Sequence, residues 1–180
     1  MKELSELSVA FGNNFGAIHE AWEHFRNDIN SFNSQIYKIV REVSRSQDVE
    51  DKIEFVSLQN MTEKDGAWRN FYANVTVNIN VKPSDLKIFR KEVAAVSFEV
   101  AFDEEIGKFM YGVYFKNFNK LSTEIDEMLF KSEELQAKFK SMKKNDPNIV
   151  YFRYEELQPG LLATAREDAL AIFAGCVKVF

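Results

Sequence analysis

Asn70-Phe71-Tyr72-Ala73-Asn74-Val75-Thr76-Val77-Asn78-Ile79-Asn80-Val81 is the stretch that decides the fold. Phe71, Ala73, Val75, Val77, Ile79 and Val81 alternate with Asn70, Tyr72, Asn74, Thr76, Asn78 and Asn80. Successive side chains of a strand point to opposite faces, so this spacing predicts a strand with one face on a core and one in water. Val96, Phe98, Val100 and Phe102 repeat the pattern against Ser97, Glu99, Ala101 and Asp103. A slip of one residue would turn Val75, Val77 and Ile79 out into water, so the register is strongly specified. Asn74, Thr76, Asn78, Ser97 and Glu99 are accordingly expected to stay solvent-accessible.

Working downstream, Asp103-Glu104-Glu105-Ile106-Gly107 reads as a hairpin connection into a strand over 108–117. That strand is apolar on both faces, with Phe109, Tyr111, Val113 and Phe115 on one and Met110 and Tyr114 on the other. It is either central and covered or open to a partner. Ile53 to Leu58 and Ile149 to Tyr154 are shorter strand candidates, and Pro83-Ser84-Asp85 starts a short helix candidate ending at Lys91. Leu121, Ile125, Met128, Leu129, Leu135, Phe139 and Met142 form a helical stripe, with Thr123 and Asp126 as a capping box and Lys143 to Pro147 as its end. Pro159-Gly160 opens a last apolar helix from Leu161 to about Val177.

Upstream lies the longest periodic signal. Phe11, Phe15, Ile18, Trp22, Phe25, Ile29, Phe32, Ile36, Ile39 and Val43 are spaced alternately four and three apart, one face of a helix in heptad register. Glu20, Glu23, Arg26, Asn27, Asn30, Asn33 and Lys38 fall on the other side and are expected in water. Gly12-Asn13-Asn14 interrupts, so the spacing predicts a helix over 14–46 capped by Asn14, with a separate short helix before it. Such a helix is about 50 Å long, against a diameter near 40 Å for a compact chain of this size. It either overhangs its domain or kinks near Asn27, Asn30 and Asn33 and wraps the sheet.

The order of elements defines an α+β fold: an antiparallel sheet of four to five strands with a long N-terminal helix and two C-terminal helices packed on it. Residues 1–180 read as one domain, divided into a helical segment over 1–46, a sheet over 53–117 and a helix-strand-helix unit over 121–180. Hydrophobic residues at 46% and charged residues at 28% exclude wholesale disorder. A net charge of −5 gives no electrostatic footprint for DNA, so nucleic acid is an unlikely partner. The acidic start, Met1-Lys2-Glu3-Leu4-Ser5-Glu6, is unlike an export signal, no apolar run is long enough to span a membrane, and the single Cys176 suits a reducing compartment. Together these point to a cytoplasmic protein.

The search for chemistry ends without a catalytic, cofactor or metal site. His19 and His24 sit in His19-Glu20-Ala21-Trp22-Glu23-His24, but five residues apart they lie about 140° round a helix, whereas a zinc helix needs them four apart. No serine stands in a nucleophile elbow, the glycines at 12, 16, 66, 107, 112, 160 and 175 make no phosphate loop, and Cys176 lies on an apolar helix with no histidine near it in sequence. Lysines cluster at 82–91 and 131–144, the pattern of a solvated helix face as much as of a phosphate contact.

Phe alone accounts for 17 residues, and aromatic rings dominate interfaces as well as cores. The reading that follows is a non-catalytic protein-interaction module: an adaptor, chaperone-like factor, immunity protein or inhibitor, with microbial or phage defence as a setting. Its surface is the stripe Phe15, Ile18, Trp22, Phe25, Ile29, Phe32 and Ile36, which also suits a homodimer. Two alternatives are a metal-dependent nuclease using Glu99 and Asp103, and a small-ligand binder with a pocket lined by Phe98, Phe102 and Tyr111. No hydrolase or transferase activity is expected.

Overall fold

The computed structural model describes residues 5–45, 51–61, 72–83, 91, 93–103, 108–118, 127, 131–145 and 150–179. Its elements are α1 (Glu6–Val43), β1 (Ile53–Gln59), β2 (Tyr72–Asn80), β3 (Val93–Asp103), β4 (Lys108–Lys116), α2 (Glu133–Lys140), β5 (Lys143–Asn145), β6 (Val150–Glu155) and α3 (Leu161–Val179). The strands form one antiparallel sheet in the order β1-β2-β3-β4-β6-β5. The α+β reading holds. The expected connection 104–107, the short helix over 84–90 and the Thr123–Asp126 capping box lie outside the described residues.

The register follows the alternation. Val75 lies opposite Phe98, Phe98 opposite Val113 and Val113 opposite Tyr151, while the next row is Val77, Val96 and Phe115. This inner face carries the helices. Phe173 of α3 meets Phe98 at 6.5 Å between ring centres, Phe139 of α2 meets Phe115 at 6.2 Å, and Ile29, Phe32, Ile36 and Val40 of α1 join the same buried cluster. β4 is central, with Phe109, Tyr111, Val113 and Phe115 buried and Met110 and Tyr114 partly exposed on the outer face.

Three expectations need correction. First, α1 is one helix from Glu6, capped by Ser5, whose Oγ accepts a hydrogen bond from the Ser8 amide at 3.2 Å. Asn14 sits inside it and donates to the Ala10 carbonyl at 2.8 Å. A helical glycine costs only about 1 kcal/mol, and a helix already nucleated and anchored over its second half propagates through Gly12 and Gly16. Second, the sheet has six strands, because Lys143–Asn145 turns back along β6 where the sequence reads only a helix end. A three-residue edge bearing two lysines is a short, charged margin of the kind that discourages further pairing. Third, Asn74, Thr76 and Ser97 on the outer face are buried, whereas Asn78 and Glu99 are partly exposed. The register is as expected, with Val75, Val77 and Ile79 buried inside; what differs is that the outer polar groups bond one another.

One polar cluster binds the C-terminal half together. Asp168 of α3 is 3% exposed; its Oδ2 accepts from the Tyr111 hydroxyl at 2.9 Å and its Oδ1 from Lys138 Nζ of α2 at 2.6 Å. Arg153 of β6 approaches Oδ2 at 3.5 Å. Burial, then the bond to Asp168 and its charge, pushes the Tyr111 phenol up to about 12. Close by, α2 presses Leu135 onto Gly175 of α3, where an added Cβ would stand 2.5–3.0 Å from three leucine carbons.

Asp168→Ala would take the carboxylate partner from the Tyr111 hydroxyl and Lys138, and is expected to lower stability by about 3 kcal/mol, the low end for a broken buried pair because Lys138 can rehydrate and Arg153 keeps Glu155 at 3.5 Å. Gly175→Ala is expected to cost about 1–3 kcal/mol through overpacking. Urea denaturation of both variants checks these values.

Candidate interaction surface and the polar row

The heptad stripe divides in two along α1. Ile29, Phe32 and Ile36 are buried in the core, Ile18, Trp22 and Phe25 are partly exposed, and Phe15 is 47% exposed. Beyond it Phe11 is 52% and Leu7 82% exposed. Of the interface set expected from the sequence, Ile29, Phe32 and Ile36 hold the helix to its own domain, and Phe25 packs against the same cluster at the root of the arm. The others lie on an N-terminal arm, residues 6–25, about 30 Å long at 1.5 Å per residue. Rings on the arm order one another: Phe11 meets Phe15 edge-on at 5.6 Å, and Phe15 stacks on His19 at 6.0 Å. The helix overhangs rather than wraps.

Its root is set by residues that the periodicity assigns to water. Asn30 Nδ2 donates to the Met61 carbonyl at 3.1 Å, and its Oδ1 accepts from the Met61 amide at 2.8 Å. Asn33, fully buried, donates from Nδ2 to the carbonyls of Gln59 at 3.0 Å and Asn74 at 3.1 Å. The Asn30 carboxamide pairs with Met61 as a peptide group would, and the Asn33 amide joins α1 to the backbone of β1 and β2. Only the appearance of two asparagines three apart beside a buried stripe hints at this in the sequence.

Below the arm, α1 and the segment entering α3 enclose a groove of about 550 Å³, lined by Phe25, Ile29, Leu157, Pro159, Leu161 and Leu162 with His24 and Asp28 beside them. At the other end of α1 an apolar cleft of about 190 Å³ lies among Ile39, Val43, Ile53, Leu170, Phe173 and Val177.

On the outer sheet face a row of polar groups runs from β1 to β3. Asn74 Nδ2 donates to Gln59 Oε1 at 3.1 Å, Thr76 Oγ1 donates to Asn74 Oδ1 at 3.1 Å, Thr76 and Ser97 hydroxyls meet at 2.8 Å, and Ser97 Oγ lies 3.4 Å from Glu99 Oε1. With Asn74 in this orientation, three oxygen–oxygen contacts need three hydrogens and two hydroxyls carry only two. The third comes from Glu99 when it is a neutral carboxylic acid. Burial raises the Glu99 pKa above the ordinary value of 4.5, while Lys116 and the Ser97 hydroxyl pull it back. The Ser97 hydroxyl is placed to donate to Glu99, so this carboxyl is engaged within the row; a nuclease would instead need it on a metal.

Glu99 and Asp103 share one face of β3 four residues apart, about 13 Å along the strand, so the backbone does not bring them onto one ion. The Phe102 and Asp103 side chains lie outside the described residues. Phe98 and Tyr111 are completely buried and pack at 6.0 Å, filling core space. His19 lies on Phe15, and His24 stands 3.9 Å from Glu20. Among the described residues no three His, Cys, Asp or Glu side chains are grouped to hold a metal, and no helix is long and apolar enough to cross a membrane. Cys176 is buried, which pushes its thiol up and away from nucleophilic use. Of the lysine clusters, Lys138 is tied to Asp168, and Lys143 lies over the Tyr154 ring at 5.9 Å. No family model matches the chain, and neither a curated protein nor a solved structure is found to resemble it.

A raised carboxyl pKa means the folded state holds this proton more tightly than the unfolded chain. The stability it brings is complete below about 4.5 and is lost as pH rises through the folded-state value. Glu99→Gln, which keeps a donor for Ser97 at every pH, is expected to melt above the wild type at neutral pH, with the gap closing on acidification. Thermal melts across that range measure it, and equal melting temperatures at neutral pH would overturn it.

Proposed function

We propose that this chain is a non-catalytic protein-interaction module whose contact surface is the N-terminal arm of α1. One observation carries the reading: Leu7, Phe11 and Phe15 extend the buried stripe of the same helix outward, yet stand 82%, 52% and 47% exposed. Apolar surface left in water forgoes roughly 25 cal/mol per Å², and a contiguous stretch of it on a rigid element marks a binding site. The arm's rigidity lowers the entropy lost on binding, because the helix is already formed and clamped at its root by Asn30 and Asn33. An adaptor, chaperone-like factor, immunity protein or inhibitor would act in this way, in the cytoplasm and in microbial or phage defence among other settings. The half-buried, hydrogen-bonded placement of Glu99 does not favour the nuclease alternative, and the ring-filled core around Phe98 does not favour the ligand-binding one.

The test uses the intact chain as bait in native lysate beside the Phe11→Glu/Phe15→Glu double variant. Both substitutions lie outside the core, so circular dichroism of the folded domain should be kept. Loss of two central aromatic anchors is expected to reduce capture of an arm-dependent partner by at least about tenfold. Capture by the variant equal to that of the wild type would overturn the reading.

A further inference from the structure

Resting on the arm as a contact surface, we infer that its partner is a second copy of this chain, the two arms lying antiparallel about a two-fold axis that passes between residues 16 and 17.

Length is the first argument. The arm runs from Glu6 to about Phe25, where the body of the domain begins. Two antiparallel arms centred on residues 16 and 17 overlap over that whole length, and the tip of each ends at the root of the other. There the groove beside Phe25, lined by Leu157, Leu161 and Leu162, faces the incoming Leu7 of the second copy. Leu157 is 54% exposed and Leu7 is 82% exposed, so each supplies apolar surface that the other can cover.

Side-chain layers give the second argument. In this register Phe15 lies against Ile18 of the second copy, Phe11 against its Trp22, and Leu7 with Ser8 against its Phe25. Each layer joins the two alternating heptad positions, as antiparallel helices require. Flanking positions are complementary in size: Gly12 comes opposite His19 of the second copy and Asn14 opposite its Ala21. An added side chain at Gly12 or Gly16 would meet nothing within 4 Å, so a second helix has room to approach closely.

Charge and area agree. Within residues 6–25 the stripe itself carries no charge; Glu6, Glu20 and Glu23 lie off it, and Glu23 is paired with Arg26 at the root. A neutral strip on a chain of net charge −5 meets its own copy without repulsion. Five to six apolar side chains per arm, several of them aromatic, bury about 1,000 Å² in total, the lower bound of a specific interface.

Light scattering across a concentration series and crosslinking decide the matter together. The wild type is expected to dimerise, and Phe15→Glu to stay monomeric with its helical signal intact. Asn14→Cys and Ala21→Cys proteins, mixed and treated with a short bis-maleimide, are expected to crosslink several-fold more than either alone, with buried Cys176 unreactive. A strict monomer at the highest soluble concentration overturns the inference; if Phe11 and Phe15 still govern capture of another protein, the proposed function survives it. A dimer insensitive to Phe15→Glu, or one in which the mixed pair crosslinks no better than each protein alone, also overturns it.

Discussion

Everything in this molecule depends on how the second half of α1 is held against the apolar face of the sheet. Ile29, Phe32, Ile36 and Val40 are buried in the same cluster as Val75, Val77, Val96 and Phe98. Asn30 and Asn33 add backbone-like bonds to Met61, Gln59 and Asn74 at the margin of that contact. An apolar face alone would let a helix slide by a turn along a smooth sheet. The asparagine bonds do not, because a buried carboxamide displaced from its carbonyl partners loses hydrogen bonds that water cannot replace. Position and direction of the arm follow from this clamp: the helix is stiff, so fixing residues 29–40 aims residues 6–25.

The C-terminal half is built on the opposite balance. There the helices α2 and α3, which also bury Leu135, Phe139, Ile172 and Phe173 in the core, meet over a glycine, Gly175, and an ion-paired carboxylate, Asp168. Asp168 gathers a tyrosine from β4 and cations from α2 and β6, four elements that are distant in sequence. A buried charge of this kind specifies one arrangement, since any other leaves it unpaired, even where apolar packing would be equally stable. Phe98, Phe115, Phe139, Tyr151 and Phe173 fill the space between through ring contacts of 4.4–6.5 Å. Much of the unusual phenylalanine content thus serves the core, and a smaller share, Phe11 and Phe15, is left on the arm.

The outer sheet face shows why an alternating strand does not by itself reveal solvation. Asn74, Thr76 and Ser97 face away from the helices as the pattern requires, yet are buried, because each finds its hydrogen-bond partner in the next. Polar residues that bond one another in a row can be removed from water at little cost, and the half-buried Glu99 ends the row beside the Ser97 hydroxyl.

By itself the sequence determined the class of fold, which faces of β2 and β3 turn inward and the existence of a long amphipathic helix. Those features rest on local periodicity, two residues for a strand and three to four for a helix, and local periodicity is written directly in the order of residues. Tertiary structure alone decided that Asn33 is a buried clamp rather than a wet surface residue, that Asp168, Tyr111, Lys138 and Arg153 meet, and that the stripe of α1 is core beyond Phe25 and exposed before Ile18. The physical reason is common to all three. Whether a side chain is buried, and what it bonds, depends on chain segments tens of residues away, and a helix carries the same apolar stripe whether its other half is its own sheet or another molecule.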